Sequence, residues 1–563
     1  MPEARSMSSR AALLASFTLA AAAPVAAQAQ GEACPSVRDL LLTHGVVHTM
    51  DAEATVVESV RIIGDRIGAV GRGRLGATRC TEVIDLEGRT VVPGLIDNHN
   101  HIVLLGLRPG HDTRLENATS IADVLSTLAA RARELPAGEW ITSIGGFDIN
   151  QFVPPPGAPR FPTLAELDSV TPEHPVYIQE SFSGPSVTNT LGKRFFEAAG
   201  IEVGADGAMA GGFQTPNPTT RALYELRQRQ TLEDEKRGTL DAMRYAASLG
   251  ITTHLDEGGF PSSGTAADGA AHFDPHHAYD ALLALYREGA LINRFRLDYL
   301  YMETDPATPE LRARLENALP HFGDDMLRVV GIGEFTGGDS AIIGEATQPW
   351  INGTRLVAKA GWRNENHSLT AGDFKIIIDG WQRINDELPA PGITNLRWVL
   401  AHAPFITREY VDKLAALGGG ISVLGGWRYV SGTAQANGPP FRMLIDSGIT
   451  IGMSSDGMQI SPMNPWLGLY YVITGKNARG DLINPGQTLG REEALRLYTA
   501  ANGWFLGEED RLGTLEPGKY ADLVVLSDDY FDEAAVPDDA VKRLHSLLTL
   551  VGGAAVHGDA DAL

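Results

Sequence analysis

The sequence predicts an α/β fold built on a (β/α)8 TIM-type barrel, and three observations favour it. Short apolar segments alternate with amphipathic, helix-like stretches from about residue 95 to residue 480. Side chains that bind metals stand at the ends of several of these segments. Segments at both ends of the chain have strand-like patterns, which indicates a flanking composite β-sandwich subdomain. Strands that alternate with helices are typical of parallel barrels.

The eight candidate barrel strands are short and apolar, and most end in polar residues. They are GLIDNHNHI (94–102), ITTHLDEG (251–258), RFRLDYLYM (294–302), LRVVGIGEF (327–335), AGWRNENH (360–367), LRWVLAHA (396–403), GISVLGG (420–426) and ITIGMSSD (449–456). Stretches such as DALLALYREGALI and REYVDKLAALG lie between them and have helical periodicity.

The predicted barrel domain spans residues 93–510 and carries one large insertion. About residues 103–245 separate the first two candidate strands, which is far more than a connecting loop needs. We therefore expect an inserted subdomain after barrel strand 1. Residues 37–92 and 511–560 are predicted to form one β-sandwich subdomain together.

Composition excludes several classes of function. The 563 residues hold 46 Lys+Arg against 70 Asp+Glu, a formal net charge of −24. Nucleic-acid binding needs clustered positive charge, so we expect no nucleic-acid partner. The expected partner is a small-molecule substrate, and homo-oligomerisation stays open.

The first residues are typical of a secretory signal peptide. Arg5 and Arg10 precede the apolar run AALLASFTLAAAAPVAA, and Ala27-Gln28-Ala29 forms a cleavage signal. The alternative is a membrane anchor, which needs about 20 unbroken apolar residues, whereas Pro24 interrupts this run. Residues 1–29 are therefore predicted to be removed, leaving a periplasmic or secreted protein without a membrane segment.

Cys34 and Cys80 are the two cysteines of the chain, and both precede the predicted barrel. An oxidising compartment permits a disulfide between them. Two alternatives stay open: a pair of free thiols, or a lipid anchor on Cys34, although the charge of Glu32 does not fit a lipid-anchor signal.

Metal-ligating side chains mark the ends of several candidate strands. His99 and His101 are two residues apart, so both project from the same side of the first strand. His367, His402 and Asp456 end three later strands. Because barrels carry their sites at the C-terminal strand ends, these side chains are expected to meet there. Imidazoles with a carboxylate favour Zn²⁺, although another divalent metal would also fit.

Several motifs are similar to those of the amidohydrolase superfamily. They are VVPGLIDNHNH, LAHA, GMSSDG and GTLEPGKYADLVVL. The long insertion resembles the YtcJ-like branch of that superfamily, as do the segments EWITSIGGFD (139–148), PVYIQE (175–180), VTNTLGKRFFEAAGI (187–201) and LGITTH (249–254). The resemblance covers nearly all of the chain after the predicted signal peptide.

The resemblance implies a metal-dependent hydrolase that acts on amide or other C–N bonds. By position, His99 and His101 match the first-strand ligand pair, and His367, His402 and Asp456 match the ligands of strands five, six and eight. In this scheme Asp456 takes the proton of the metal-activated water and passes it to the leaving amine. With one metal bound, His402 contacts the substrate carbonyl instead.

The chain departs from the branch at the usual bridging residue. The branch carries a carboxylated lysine near the end of strand four, and no lysine lies between Arg237 and Ala358. Glu334 stands at or next to that position, and some superfamily members bridge two metals with glutamate. Two alternatives stay open: Glu334 bridges two metals, or it forms a structural salt bridge beside one metal.

Substrate contacts are less clearly marked. The branch's His-Ala-x-Gly-Asp motif appears as His367-Ser-Leu-Thr-Ala, with Gly372-Asp373 two residues late. Phe147, Trp362 and Trp427 stand near predicted loop ends and are expected to form an apolar wall, with ordinary core packing as the alternative.

The predicted function is therefore that of an exported hydrolase that cleaves an amide-type C–N bond of a small molecule. Cleavage of an ester, lactone or carbamate at the same site is the nearest alternative. The absent lysine and the altered loop after strand five also leave open a solute-binding barrel without catalysis.

Overall fold

The computed structural model describes residues 34–152, 158–181, 183–212, 216–259, 277–338, 344–457 and 460–559. The chain divides into two units, Met1–Ser36 and Val37–Leu563, and the account below concerns the second. The predicted signal peptide lies outside the described residues. The structure contains a disulfide, since both Cys34 and Cys80 are disulfide-bonded.

Eight parallel strands form the barrel, and neighbours in the sheet are also neighbours along the chain. Barrel strands 1 to 8 are Leu95–Asn100, Ile251–Asp256, Arg294–Tyr301, Leu327–Thr336, Arg363–Asn366, Val399–His402, Gly420–Leu424 and Thr450–Ser454. Two backbone hydrogen bonds bring the end of strand 8 back to strand 1: Asp456 N donates to His99 O at 2.9 Å, and His101 N to Gly457 O at 2.7 Å. The predicted barrel is confirmed.

Helices follow the strands and cover the barrel. Those of the barrel region are Ile102–Gly106, Leu232–Ser248, Asp280–Arg287, Pro309–Asn317, Gln348–Ala360, Ala371–Glu387, Arg408–Ala416, Gly426–Ser431, Phe441–Ser447, Pro465–Thr474, Arg491–Arg496 and Asn502–Leu506, with a 3-10 turn at His277–Tyr279. Within the described ranges, no helix combines the length and apolarity that crossing a bilayer requires.

The helix Ala371–Glu387 shows how local sequence produces this arrangement. Thr370 caps it, because its hydroxyl accepts from Asp373 N while the Asp373 carboxylate accepts from Thr370 N at 2.7 Å. Its buried apolar face recurs at helical spacing, through Phe374, Ile377, Ile378, Trp381 and Ile384. Asp373, of the Gly372-Asp373 pair that comes two residues late in the sequence, therefore takes part in a helix cap.

The insertion after strand 1 is an α/β layer with its own sheet. Its strands are His111–Asp112, Ile141–Ile144, Val176–Gln179, Ser186–Thr188 and Ala208–Met209. Its helices are Ile121–Glu134, Leu164–Val170, Thr190–Ala198 and Pro218–Arg227, with a 3-10 turn at Ile149–Gln151. Separate apolar clusters form around Val124 and Leu167, and around Phe196 and Leu223. The insertion therefore has cores of its own.

Both ends of the described chain build the flanking β-sandwich. One sheet contains Asp39–Thr43, Ser59–Ile63, Arg66–Gly71 and Glu82–Asp85, and the other contains Val46–His48, Val56–Val57, Thr90–Pro93, Leu523–Leu526, Ser546–Val551 and Ala554–His557. Val524 pairs with Val92, so the C-terminal strands enter a sheet that the N-terminal segment began. Leu40, Val91 and Leu548 are fully buried in the core between the sheets. The composite sandwich is confirmed.

A buried ion pair joins this sandwich to the barrel. Arg294, at the start of barrel strand 3, donates two hydrogen bonds of 2.7 and 2.9 Å to Asp522. Gly552 N also donates to Asp522, at 2.7 Å, so the carboxylate is well satisfied. Since both side chains are nearly inaccessible, removing one partner leaves an unpaired buried charge.

We expect Arg294→Met to lower the free energy of unfolding by about 3–5 kcal/mol, because Asp522 would lose its cation while remaining buried. Urea titration followed by fluorescence measures the change. The matched control is Arg408→Met, which breaks an exposed pair with Asp412 and is expected to cost less than about 1 kcal/mol. Equal losses in the two variants would contradict the prediction.

Glu116 connects the insertion to the segment after strand 8. It is 2% exposed, and its Oε2 accepts from Asn464 N at 2.8 Å, while Asn464 itself caps the helix Pro465–Thr474. Burial raises the pKa of Glu116 from its ordinary 4.5 to about 7, against the opposing effect of Arg114 and the Asn464 N–H. The ionised form is therefore the less favourable one in the fold.

This shift predicts a pH-dependent effect of Glu116→Gln. Well below pH 4.5 the Glu116 carboxyl is protonated in both the folded and the unfolded state, so its burial does not lower the free energy of unfolding. As the pH rises through 4.5, the carboxyl ionises in the unfolded state first, and the wild type loses stability. This loss is complete above about pH 7, where the carboxyl is ionised in the folded state as well. The variant is expected to gain roughly 3 kcal/mol relative to wild type between pH 4.5 and pH 8. Urea titrations at both pH values measure this gain, and a pH-independent difference would contradict it.

Candidate active site

The six candidate ligands converge at the C-terminal end of the barrel. They are His99, His101, Glu334, His367, His402 and Asp456, contributed by strands 1, 4, 5, 6 and 8 or the residues directly after them. Five are nearly fully buried, and the side chain of His367 is 16% exposed. The structure thus brings together every metal-ligating residue that the sequence analysis named.

Glu334 lies at the centre of this cluster. Its Oε1 is 2.8 Å from His402 Nε2 and also contacts His367 Nδ1, whereas its Oε2 is 3.5 Å from His101 Nε2. Its Oε1 also lies 4.0 Å from His99 Nε2. The two oxygens of one carboxylate therefore face different imidazoles.

Asp456 closes the other side of the cluster. Its Oδ1 is 3.4 Å from His101 Nε2 and 3.8 Å from His99 Nε2, and its Oδ2 is 3.8 Å from His402 Nε2. Asp456 and His402 both have positive φ, at 48° and 67°, a conformation that costs free energy for a residue with a side chain. The hydrogen bond from Asp456 N to His99 O helps to hold this backbone in place.

The first-strand imidazoles are oriented by partners on their other ring nitrogen. His99 Nδ1 is 2.6 Å from Glu365 Oε1, and His101 Nδ1 is 2.9 Å from Gly258 O. A proton on Nδ1 satisfies both acceptors and leaves Nε2 as the coordinating atom. His99 Nε2 is buried and has no hydrogen-bond partner in the described part of the chain.

A buried ionic network lies beside His99. Arg363 forms ion pairs with both Glu365 and Asp298. Burial raises the pKa of Asp298 to about 7 even though Arg363 opposes it. Burial also raises the pKa of Glu257 well above its ordinary range, and the nearby Glu365 and Asp298 add to that effect. Neither oxygen of Glu257 has a hydrogen-bond partner among the described residues.

This network was not predicted from the sequence, although one signal was present. Arg363, Glu365 and His367 alternate along strand 5, so they project from the same side of it. A carboxylate two residues before a metal-ligating histidine is thus placed toward the barrel interior. Glu257 and Asp298 have no comparable signal, because single carboxylates on strands are common.

The electrostatics of the cluster favour a cation. Burial by itself would lower the pKa of His101, but Asp456 and Glu334 outweigh it, and its pKa is raised well above 6.5. Burial likewise opposes the effect of Glu365 and Glu334 on His99, whose pKa is also raised. The pKa of Glu334 is lowered well below its usual range, since His367 and the other imidazoles outweigh burial. The carboxylates therefore attract positive charge.

The donor set fits a divalent metal. Ligand atoms of His99, His101 and Asp456 lie within 4.8 Å of one another, as do those of His99, Glu334 and His402. Imidazole nitrogens with carboxylate oxygens are typical of zinc and related ions. The unpartnered His99 Nε2 is the kind of buried polar atom that a bound metal satisfies.

Of the three predicted aromatic wall residues, only Trp427 lies where the prediction requires. It is half-buried in the helix Gly426–Ser431, directly after strand 7. Trp362 precedes the first residue of strand 5, at the opposite end of the barrel, and its carbonyl accepts from Trp398 Nε1. Phe147 packs against Phe152 in the core of the insertion. The placement of Trp362 is corrected: the strand begins at Arg363, so the ring belongs to the core.

Comparison with known proteins agrees with this architecture. The chain is 23% identical to an N-substituted formamide deformylase of Arthrobacter pascens, covering 92% of this chain and 98% of that protein. It is 24% identical to the protein YtcJ of Bacillus subtilis (strain 168), covering 91% and 98% respectively. The crystal structure of an uncharacterized metal-dependent hydrolase from Pyrococcus furiosus superposes with a TM-score of 0.58 at 20% identity, covering 88% of this chain and 100% of that one.

The family model described as "Amidohydrolase family" matches residues 82–557. This range includes all six candidate ligands, the eight barrel strands and the insertion. The resemblance seen in the sequence motifs is confirmed: the chain belongs to the amidohydrolase family, whose members are metal-dependent hydrolases.

Proposed function

We propose that this protein is an exported hydrolase that cleaves an amide-type C–N bond of a small molecule with a metal-activated water. The observation that carries the proposal is the convergence of four imidazoles and two carboxylates at one end of the barrel, with His99 Nε2 unpartnered among the described residues. The likeness to an N-substituted formamide deformylase favours N-acyl or N-formyl amines as substrates.

The geometry favours two metal positions that share Glu334. His99, His101 and Asp456 would hold the first, and His367 and His402 the second. Glu334 presents Oε2 toward His101 and Oε1 toward His402, which suits a bridging carboxylate. It would thereby replace the carboxylated lysine that this chain lacks, with the same single negative charge.

Bound zinc supplies an acidified water and polarises the scissile carbonyl. In this proposal Asp456 would hold the proton of the attacking water and would deliver it to the leaving nitrogen. Its two oxygens lie within 4 Å of His99, His101 and His402 nitrogens, which is consistent with that role. Glu365 would keep His99 in the tautomer whose Nε2 is free to coordinate.

Export is supported by two observations. The disulfide fits an oxidising compartment such as the periplasm or the extracellular space. Residues 1–29 have the charge and apolar pattern of a signal peptide.

The decisive experiment measures metal content and turnover on the same purified protein. Zinc-loaded protein is assayed against N-formyl amines and other simple amides, each matched with the corresponding ester, and with lactones and carbamates. Turnover of the amides with loss on chelation supports the proposal. Turnover of esters or lactones alone would replace it, and ligand-induced stabilisation without any turnover would indicate a binding protein.

We expect Asp456→Asn to lower kcat by about 10²–10⁴-fold, because an amide cannot accept and return the proton. The variant preserves shape, so the thermal unfolding of its metal-free form is expected to match that of the metal-free wild type. Stopped assays give kcat, and circular dichroism gives the melting curve. A kcat close to that of wild type would exclude Asp456 as the proton carrier.

Glu334→Gln tests the bridging role. A neutral amide binds metal poorly, so the content is expected to fall from about two ions per chain to about one, with a steep loss of activity. Metal analysis after zinc saturation and desalting measures the ratio. A wild-type protein that holds a single ion when saturated would contradict bridging, and so would a variant that still holds two.

A further inference from the structure

Arg428 is a buried cation without a hydrogen bond or ion pair to any residue that the structure describes. It lies in the helix Gly426–Ser431 and is 6% exposed. Its Nε is buried and has no hydrogen-bond partner among the described residues. Two aromatic rings lie near its guanidinium, Trp427 at 4.1 Å and Phe405 at 5.5 Å from the ring centroids, and the Tyr471 side chain also interacts with it electrostatically.

The other buried arginines show how unusual this is. Within the described ranges they are Arg108, Arg294, Arg296, Arg363 and Arg491, and each forms an ion pair with a carboxylate. A guanidinium taken out of water without an anionic partner is destabilising. The fold therefore supplies a counterion to its buried arginines in every described case except Arg428.

Arg428 follows strand 7, at the same end of the barrel as the candidate metal cluster. Strand 7 lies between strand 6, which ends at His402, and strand 8, which leads to Asp456. Strand 7 contributes none of the candidate ligands, and the segments that follow barrel strands are where such folds place their substrate contacts. Gly426, at the start of that segment, packs against Ser461.

The aromatic rings restrict what Arg428 can bind. Phe405 follows His402 by three residues and is 41% exposed, so it presents apolar surface at the same end of the barrel. Rings that face a guanidinium stabilise its charge but leave the N–H donors at its edge unused. Burial lowers the pKa of Arg428, against the smaller opposing effect of Tyr471. Paired N–H donors match the two oxygens of a carboxylate.

We infer that Arg428 binds a carboxylate of the substrate, while Trp427 and Phe405 contact the apolar part beside it. The reaction named here rests on the proposed function, whereas the binding of the anion does not. The substrate class is then an N-acyl or N-formyl amine that carries a carboxylate, with an aromatic or aliphatic portion between the two groups.

Binding is tested first, without turnover. Benzoate and benzamide share one ring and differ in charge, and isothermal titration of the purified, zinc-loaded protein gives both dissociation constants. The wild type is expected to bind benzoate at least about tenfold more tightly than benzamide. Arg428→Met should bring this ratio close to one, whereas the control Arg408→Met, with an exposed arginine on the neighbouring helix, should leave it unchanged.

Arg428→Lys keeps a positive charge without the planar pair of donors and is expected to give an intermediate ratio. This variant also serves if Arg428→Met does not fold, as judged by circular dichroism. A wild type that binds benzoate no more tightly than benzamide would overturn the inference. So would equal ratios in the Arg428 and Arg408 variants.

Turnover then separates this inference from the proposed reaction. N-formyl-4-aminobenzoate and N-formylaniline differ only in the carboxylate. The wild-type ratio of their kcat/KM values is expected to exceed about ten and to fall toward one in Arg428→Met. If neither compound is hydrolysed while the benzoate result stands, the proposed reaction fails and the anion site remains. If both are hydrolysed with a ratio that Arg428→Met does not change, the anion site fails and the reaction remains.

Discussion

The hydrogen bond between His99 and Glu365 is the interaction on which the geometry of the site depends. At 2.6 Å and fully buried, it fixes the ring of a first-strand histidine from a strand on the other side of the barrel. Arg363 in turn holds Glu365 and Asp298, so one guanidinium orients two carboxylates. A change in this network would therefore rotate a candidate ligand that it does not itself replace.

The buried carboxylates around His99 favour a cation at this end of the barrel. Glu257, Glu365, Asp298, Glu334 and Asp456 are buried close together, and Arg363 is the permanently charged cation placed among them. Carboxylates in such surroundings either take up protons or bind cations. The raised pKa of Glu257 corresponds to the first response, and the raised pKa values of His99 and His101 show that the carboxylates favour positive charge beside them. A divalent metal would supply that charge directly.

Patterns within the sequence predicted the barrel and its candidate ligands because strand periodicity and strand ends are local properties. His99 and His101 could be assigned to one side from their spacing alone. Trp362 was misplaced because it stands at the start of strand 5 in the predicted and in the observed bounds, whereas barrels carry their sites at the C-terminal strand ends. Arg428 was missed for a different reason: an arginine that lacks a counterion is recognised only when its surroundings are known.

The candidate ligands and the proposed substrate contacts lie on different parts of the chain. The candidate ligands stand on barrel strands or within two residues of their ends, where pairing with neighbouring strands holds the backbone. The contacts that we propose for the substrate lie instead in the segments after strands 6 and 7. The helix that carries Trp427 and Arg428 contacts the 3-10 turn Ile149–Gln151 of the insertion, and Glu116 of the insertion holds Asn464 after strand 8. Substitutions in the insertion can therefore alter the surroundings of the proposed substrate contacts while the ligand cluster stays intact, which fits the general rule that specificity is set by the segments around a site and not by the fold.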